Sequence, residues 1–397
     1  MADELTSADL IHDALVRHQV FLLRFASQLK TAVNTPLNGS EELIRDMILG
    51  RIGRARSLES MNKLVGLIIN TRAEAWAEST ALWRDELRAL AVQEGAWILD
   101  ALKRTIPLEI APLGISTKVA NSIVNGAMVN GRTVMEWAAD ARRADADMIR
   151  TSVRMSATAG AAPRLAVRAL MGTQAAAGAD GLLQRTRNNV AAISRSAVVG
   201  ISDAVRSETF ELNPDIVEQE VFTAVLDGRT TPICRSLDSK RYDIGEGPHP
   251  PLHMNCRSIR VPTLNGETIG NRNATPIFMR RILKDFTSEN GLAAVTKRAD
   301  LPHGTKGAFD AFRRARAMQV VGKEAVATSY ETFLRRQPAT FQDDVLGVTK
   351  GKLFRQGGLG LDAFVDRNTY QPVTLARLAQ SDAAAFKAAG LDPDDFR

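Results

Sequence analysis

Up to Leu212 the apolar residues of this chain recur at steps of three, four and seven, and Asn213-Pro214 ends that pattern abruptly. Ile11, Leu15, Leu22, Phe25 and Leu29 mark one face of a first helix, which Pro36 and Gly39 are expected to close near residues 34–40. Ser40, followed by Glu41 and Glu42, reads as the cap of a second helix running to Ile52. A third is expected over Leu58–Asn70. A fourth carries Trp76, Trp83, Leu87, Leu90 and Trp97, whose tryptophans read as core anchors. Pro107, Pro112 and Gly114 mark a boundary, after which helices are predicted over 119–128, 133–152, 163–171 and 182–212. Alanine is abundant over residues 137–205, which favours helix packing over a β-sandwich.

From Ile216 the texture changes. Residues 221–226 form a β-branched, apolar run that stops at Asp227-Gly228, a strand followed by a tight turn. Residues 241–244 and 257–261 are two further strand candidates, so a small antiparallel sheet is expected around a proline-rich loop. The fold class is therefore mostly α with a small antiparallel β subdomain. The expected organisation is an N-terminal helical domain (1–115), a second helical segment (116–215), the β subdomain (216–265) and a basic helical region (266–397).

Both cysteines of the chain, Cys234 and Cys256, and two of its five histidines, His249 and His253, fall between Asp227 and Pro262. Cys234, His253 and Cys256 are ligand types that suit zinc, with Asp227, Asp238 or His249 as the fourth donor. The spacing lacks paired Cys-x-x-Cys knuckles, and two other readings stay open: buried thiols beside a hydrogen-bonded histidine, and a disulfide. His253-Met254-Asn255 also suits a metal-dependent nuclease of the ββ-metal (HNH-like) kind, although the next histidine is the distant His303. Neither a nucleophile elbow nor a phosphate loop is present in the sequence, so acyl and phosphoryl transfer find no support there. A non-catalytic reading uses more of the residues. Arg229, Arg235 and Arg257 can fork onto Asp227, Asp238 or Asp243, while Pro248, Pro250 and Pro251 stiffen the loop.

The formal charge is +6, and residues 270–316 alone hold ten basic and four acidic side chains. Arg280, Arg281, Lys284, Arg313 and Arg314 are the candidate contacts to nucleic-acid phosphate; a solvated helix face is the competing reading. The acidic start lacks the features of an export signal and no apolar run is long enough to span a bilayer, so a reducing cytoplasm and no membrane anchor are expected.

The central segment resembles the minor head proteins of tailed phages, the Mu F-like or head-morphogenesis family. The resemblance rests on Val225-Leu226-Asp227-Gly228-Arg229-Thr230, then Cys234-Arg235 and Leu237-Asp238, then Pro250-Pro251-x-His253-x-Asn255-Cys256-Arg257-Ser258. Residues 131–137, 195–198 and parts of 330–378 extend it. Ser196 replaces a commoner threonine, and Ser258 stands where some relatives carry a further cysteine. The resemblance implies a structural, non-enzymatic virion protein inside the head, made in the host cytoplasm. Its partners would be the portal protein, the major capsid or scaffolding protein, and packaged double-stranded DNA. By the same resemblance Asp227, Arg229, Cys234, Asp238, Pro251, His253, Asn255, Cys256 and Arg257 form a structural motif. A DNA-binding or injected effector is the remaining alternative beside the nuclease.

Overall fold

Two helices of unusual length organise the molecule. The computed structural model describes residues 7–55, 57–105, 112–263, 271–275, 279–320, 322–325 and 328–396. Helix α1 (Ser7–Arg51) and helix α2 (Leu58–Thr105) form an antiparallel hairpin joined by a short 3-10 turn. Pairing runs their whole length: Ile11 and Leu15 share a core with Ile98 and Leu102, and Ile44 and Ile48 share one with Leu64 and Ile68.

The breaks expected within these helices are not there. Pro36 lies inside α1, and the segments expected over 58–70 and 76–97 are one continuous helix. A proline removes one N–H donor and crowds the preceding turn, but α2 holds this stretch of α1 with side-chain hydrogen bonds on both sides of it. Ser79 donates its hydroxyl to the Val33 carbonyl at 2.8 Å, and Arg72 donates to the Leu37 carbonyl at 2.6 Å. Ser40 does not cap a new helix; its buried hydroxyl bonds back to the same Leu37 carbonyl.

Four further helices lie against the hairpin: α3 (Thr117–Gly126), α4 (Val134–Thr158), α5 (Pro163–Met171) and α6 (Gln184–Glu211). Ser116 caps α3, and Thr133 with Glu136 forms a reciprocal capping box at the start of α4. A two-stranded ribbon, β1 (Met128–Val129) and β2 (Arg132–Thr133), separates α3 from α4. One apolar core joins Leu22, Leu29, Trp76 and Trp83 of the hairpin to Ile123, Ala138, Val190 and Val198 of these helices. Helix α6 is buried along most of its length, which explains its run of small residues.

Beyond α6 come β3 (Gln219–Thr223), β4 (Leu226–Asp227), α7 (Pro232–Leu237), β5 (Arg241–Asp243) and β6 (Ile259–Pro262). The expected antiparallel sheet is present, in the order β5-β3-β6, with Val221 opposite both Arg241 and Val261. A second sheet was not foreseen: β4 pairs in parallel with β7 (Asn271–Thr275), which pairs antiparallel with β8 (Gly322–Ala325). Between β7 and β8, α8 (Met279–Glu289) and α9 (Lys306–Val320) enclose a small core of Ile282, Leu283, Phe286, Leu301 and Phe309.

The last described segment is a cluster of short helices, α10 (Tyr330–Arg335), α11 (Ala339–Leu346), α12 (Val348–Arg355), α13 (Leu375–Ser381) and α14 (Ala383–Ala388). Their aromatic core includes Leu226 and Ala274, so the second sheet docks onto this cluster. Among the described residues no helix is long and apolar enough to cross a membrane.

Candidate functional site

The turn after β4 is built around one carboxylate. Asp227 Oδ1 accepts hydrogen bonds from the backbone N–H groups of Arg229 and Thr230, at 3.0 and 3.1 Å. The same carboxylate takes the guanidinium of Arg257 through Nη1 and Nη2, at 2.8 and 2.7 Å. Burial works to raise the Asp227 pKa, yet the Arg257 hydrogen bonds and charge outweigh it and hold the carboxyl below its ordinary range. Of the three arginines expected to fork onto acids, Arg257 alone does so. Arg229 is largely exposed, with Nε 3.6 Å from Asp227; Arg235 instead donates to the Val345 carbonyl and lies over the Tyr330 ring.

Asp238 performs a matching task on the other side. One oxygen accepts from the Ala224 N–H at 2.7 Å and the other from the Tyr330 N–H at 2.6 Å. The Tyr330 hydroxyl returns to donate to the Asp227 carbonyl at 2.7 Å. Tyr330 is fully buried, and burial pushes its hydroxyl up to about 12, so it acts as a fixed donor. The motif thus connects the sheet to the C-terminal helices. It also connects to the helical body: the Asn255 backbone N–H donates to the hydroxyl oxygen of Ser196 of α6, at 2.8 Å. Asn255 has φ +62°, a left-handed conformation that asparagine tolerates better than most residues. Where the loop passes α6, Gly200 leaves room for Pro251; a Cβ there would meet the proline ring at 3.0 Å.

Cys234, on the buried face of α7, meets the 253–256 turn. Its Sγ lies 3.3 Å from His253 Nε2 and 3.8 Å from Cys256 Sγ, and the three donor atoms all fall within 4.8 Å of one another. His253 Nδ1 is 3.0 Å from the Met254 carbonyl oxygen. A carbonyl can only accept, so Nδ1 carries a proton and the neutral ring presents its Nε2 lone pair to the sulfurs. The Thr231 hydroxyl, 2.9 Å away, is the other neighbour of Nε2. The hydrogen bond between the thiols lowers Cys256 and raises Cys234, with burial adding to the rise of Cys234 and His253 to the fall of Cys256. Burial opposes charge on His253, but the bond to Cys256 and its charge turn the balance and raise its pKa.

The expected fourth donors lie outside this group. Asp227 and Asp238 are committed as described, and His249 Nδ1 is bonded to Asp203 of α6 at 3.0 Å. Near His249, Glu220 and Arg260 form a fully buried pair at 3.1 Å, which sequence reasoning missed because both look like strand residues facing water. Both cysteines are free thiols.

An open cavity of about 620 Å³ borders the site. Gln19, Leu22 and Leu23 of α1 and Arg195 and Val199 of α6 form one wall; Thr231, His253 and Cys256 are among the residues of the other. The basic candidates lie elsewhere. Arg281 and Lys284 are exposed on α8, while Arg313 is half-buried and 3.8 Å from Asp310. The side chains of Arg280 and Arg314 fall outside the described residues.

Comparison of the chain with family models, with curated proteins and with solved structures finds no match.

Proposed function

We propose that this protein is a structural minor head protein of a tailed phage, bound at the portal vertex inside the head and assisting assembly or genome delivery. The observation that carries the reading is the commitment of Asp227. Its carboxylate is taken up by Arg257 and two backbone N–H groups, and its carbonyl by Tyr330. The residues that carry the resemblance are spent on joining the helical body, the sheet and the C-terminal helices. A fixed junction of this kind suits a component that must keep its shape among partners. A metal-dependent nuclease would need oxygen or nitrogen donors free to hold its ion, and the motif's carboxylates are engaged in structural bonds.

Portal protein, capsid or scaffolding protein and packaged double-stranded DNA are the partners this reading entails. Arg281 and Lys284 supply exposed positive charge for the last. The test is co-expression with a tailed-phage portal protein from the same genome, followed by purification of the pair, together with a plasmid-nicking assay with added divalent metal. Stable copurification without nicking supports the proposal. Metal-dependent nicking that disappears in His253→Ala, with no portal association, overturns it in favour of a nuclease.

A further inference from the structure

We propose that Cys234, His253 and Cys256 bind one zinc ion, with a fourth position that opens on the cavity between α1, α6 and the motif. The geometry carries this. Zinc bonds of about 2.3 Å to sulfur and about 2.0 to 2.1 Å to nitrogen, at tetrahedral angles, separate two sulfurs by about 3.8 Å and sulfur from nitrogen by about 3.6 Å. The sulfurs here stand 3.8 Å apart, and Cys234 Sγ stands 3.3 Å from His253 Nε2. The third edge, between Cys256 Sγ and the His253 ring, lies within 4.8 Å, so side-chain rotation of His253 or Cys256 is what brings the three atoms to bonding distance of one ion.

The ring is also oriented as a ligand. The Met254 carbonyl holds the proton on Nδ1 and leaves Nε2 to face the sulfurs, the outer contact that fixes the tautomer of metal-bound histidines. Two thiolates and an imidazole favour zinc over magnesium or calcium, which prefer oxygen. The ion would tie α7 to the 253–256 turn, beside the Asp227–Arg257 pair that joins the segments flanking them.

Among the described residues no fourth protein ligand is in the group, since Asp227, Asp238 and His249 are bonded elsewhere. His253, Cys256 and Thr231 line the cavity and Cys234 does not, although both cysteines are almost fully buried. The remaining tetrahedral position therefore faces solvent, holds water, and gives the ion its entry path.

The full chain, purified under reducing conditions without chelator, is expected to carry an equivalent of zinc by elemental mass spectrometry, lost in Cys256→Ser and in His253→Ala. Since either variant can fail to fold, the unaltered protein is also loaded with cobalt(II). The expected spectrum has thiolate-to-cobalt charge transfer and the intense visible bands of a four-coordinate ion, and added azide shifts those bands. Substoichiometric zinc together with no thiolate-to-cobalt band overturns the site, as does a mass two hydrogens short that reports a Cys234–Cys256 disulfide. Visible bands indifferent to azide overturn the open position.

Discussion

Asp227 and Arg257, thirty residues apart, meet through two parallel hydrogen bonds of 2.8 and 2.7 Å and so close the loop that holds both cysteines. Asp227→Asn keeps the shape but removes the charge, and is expected to cost about 2 to 3 kcal/mol in urea denaturation. The carboxyl is held below its ordinary 3.8. Its contribution is therefore present above pH 3.8 and is lost as pH falls through the lower folded value. The variant should lack this share of the acid sensitivity; identical acid limbs for the two proteins would refute the assignment.

A second buried ion pair holds the hairpin to α4. Arg72 Nε donates to Asp145 at 2.7 Å, Trp76 Nε1 donates to the same oxygen at 2.8 Å, and Thr186 donates to the other at 2.5 Å. Asp145→Ala leaves the Arg72 charge buried and is expected to cost about 3 to 5 kcal/mol. Replacing both partners, as Arg72→Met with Asp145→Leu, removes the unpaired charge but leaves Trp76 Nε1 and the Thr186 hydroxyl without Asp145, so it should recover only part of that loss. A double variant no more stable than Asp145→Ala in thermal unfolding would contradict this.

Glu220 behaves in the opposite sense to Asp227. Burial pushes its carboxyl from 4.5 up to about 7, with Arg260 only partly opposing. A raised carboxyl favours folding most below pH 4.5, and that contribution is lost as pH rises through about 7. His249, raised by its hydrogen bond to Asp203 against the effect of burial, adds a loss above 6.5. Stability should thus decline as pH rises across this window. Glu220→Gln, neutral throughout, should flatten the decline by up to about 3 kcal/mol, as read from chemical denaturation at several pH values.

Should the basic α8 surface meet DNA, each phosphate contact contributes about 0.9 to the salt slope. Arg281→Ala with Lys284→Ala is then expected to lower that slope by about 2 in filter binding at graded salt. An unaltered slope would exclude this face as the contact.

What the sequence disclosed follows from how local each signal is. The turn at Asn130-Gly131 followed by helical periodicity marks the helix expected from 133, and the alternation in 257–261 is a strand signal, so both elements were legible. Cys234, His253 and Cys256 could be grouped because their scarcity and nearness in the chain are visible. Pro36 misled because the side chains that hold its helix in place, Arg72 and Ser79, belong to another helix. The strand 271–275, Asn-Arg-Asn-Ala-Thr, lacks the β-branched character that marks strands and is specified by its neighbours in the sheet. Tyr330 was unreadable as part of the motif, because its bonds to Asp227 and Asp238 span 103 and 92 residues.

The hairpin of α1 and α2 carries a mechanical consequence. At 1.5 Å per residue, a helix of 45 residues extends about 68 Å. The cavity beside His253 is walled by Gln19, Leu22 and Leu23, about a third of the way along that rod, while the turn at residues 52–54 is at its far end. Between the two, Ile44 and Ile48 pack against Ile149, Val153 and Leu170 of α4 and α5, so the cavity wall belongs to a rod braced along its length, and the opening beside the cysteines keeps its width under load.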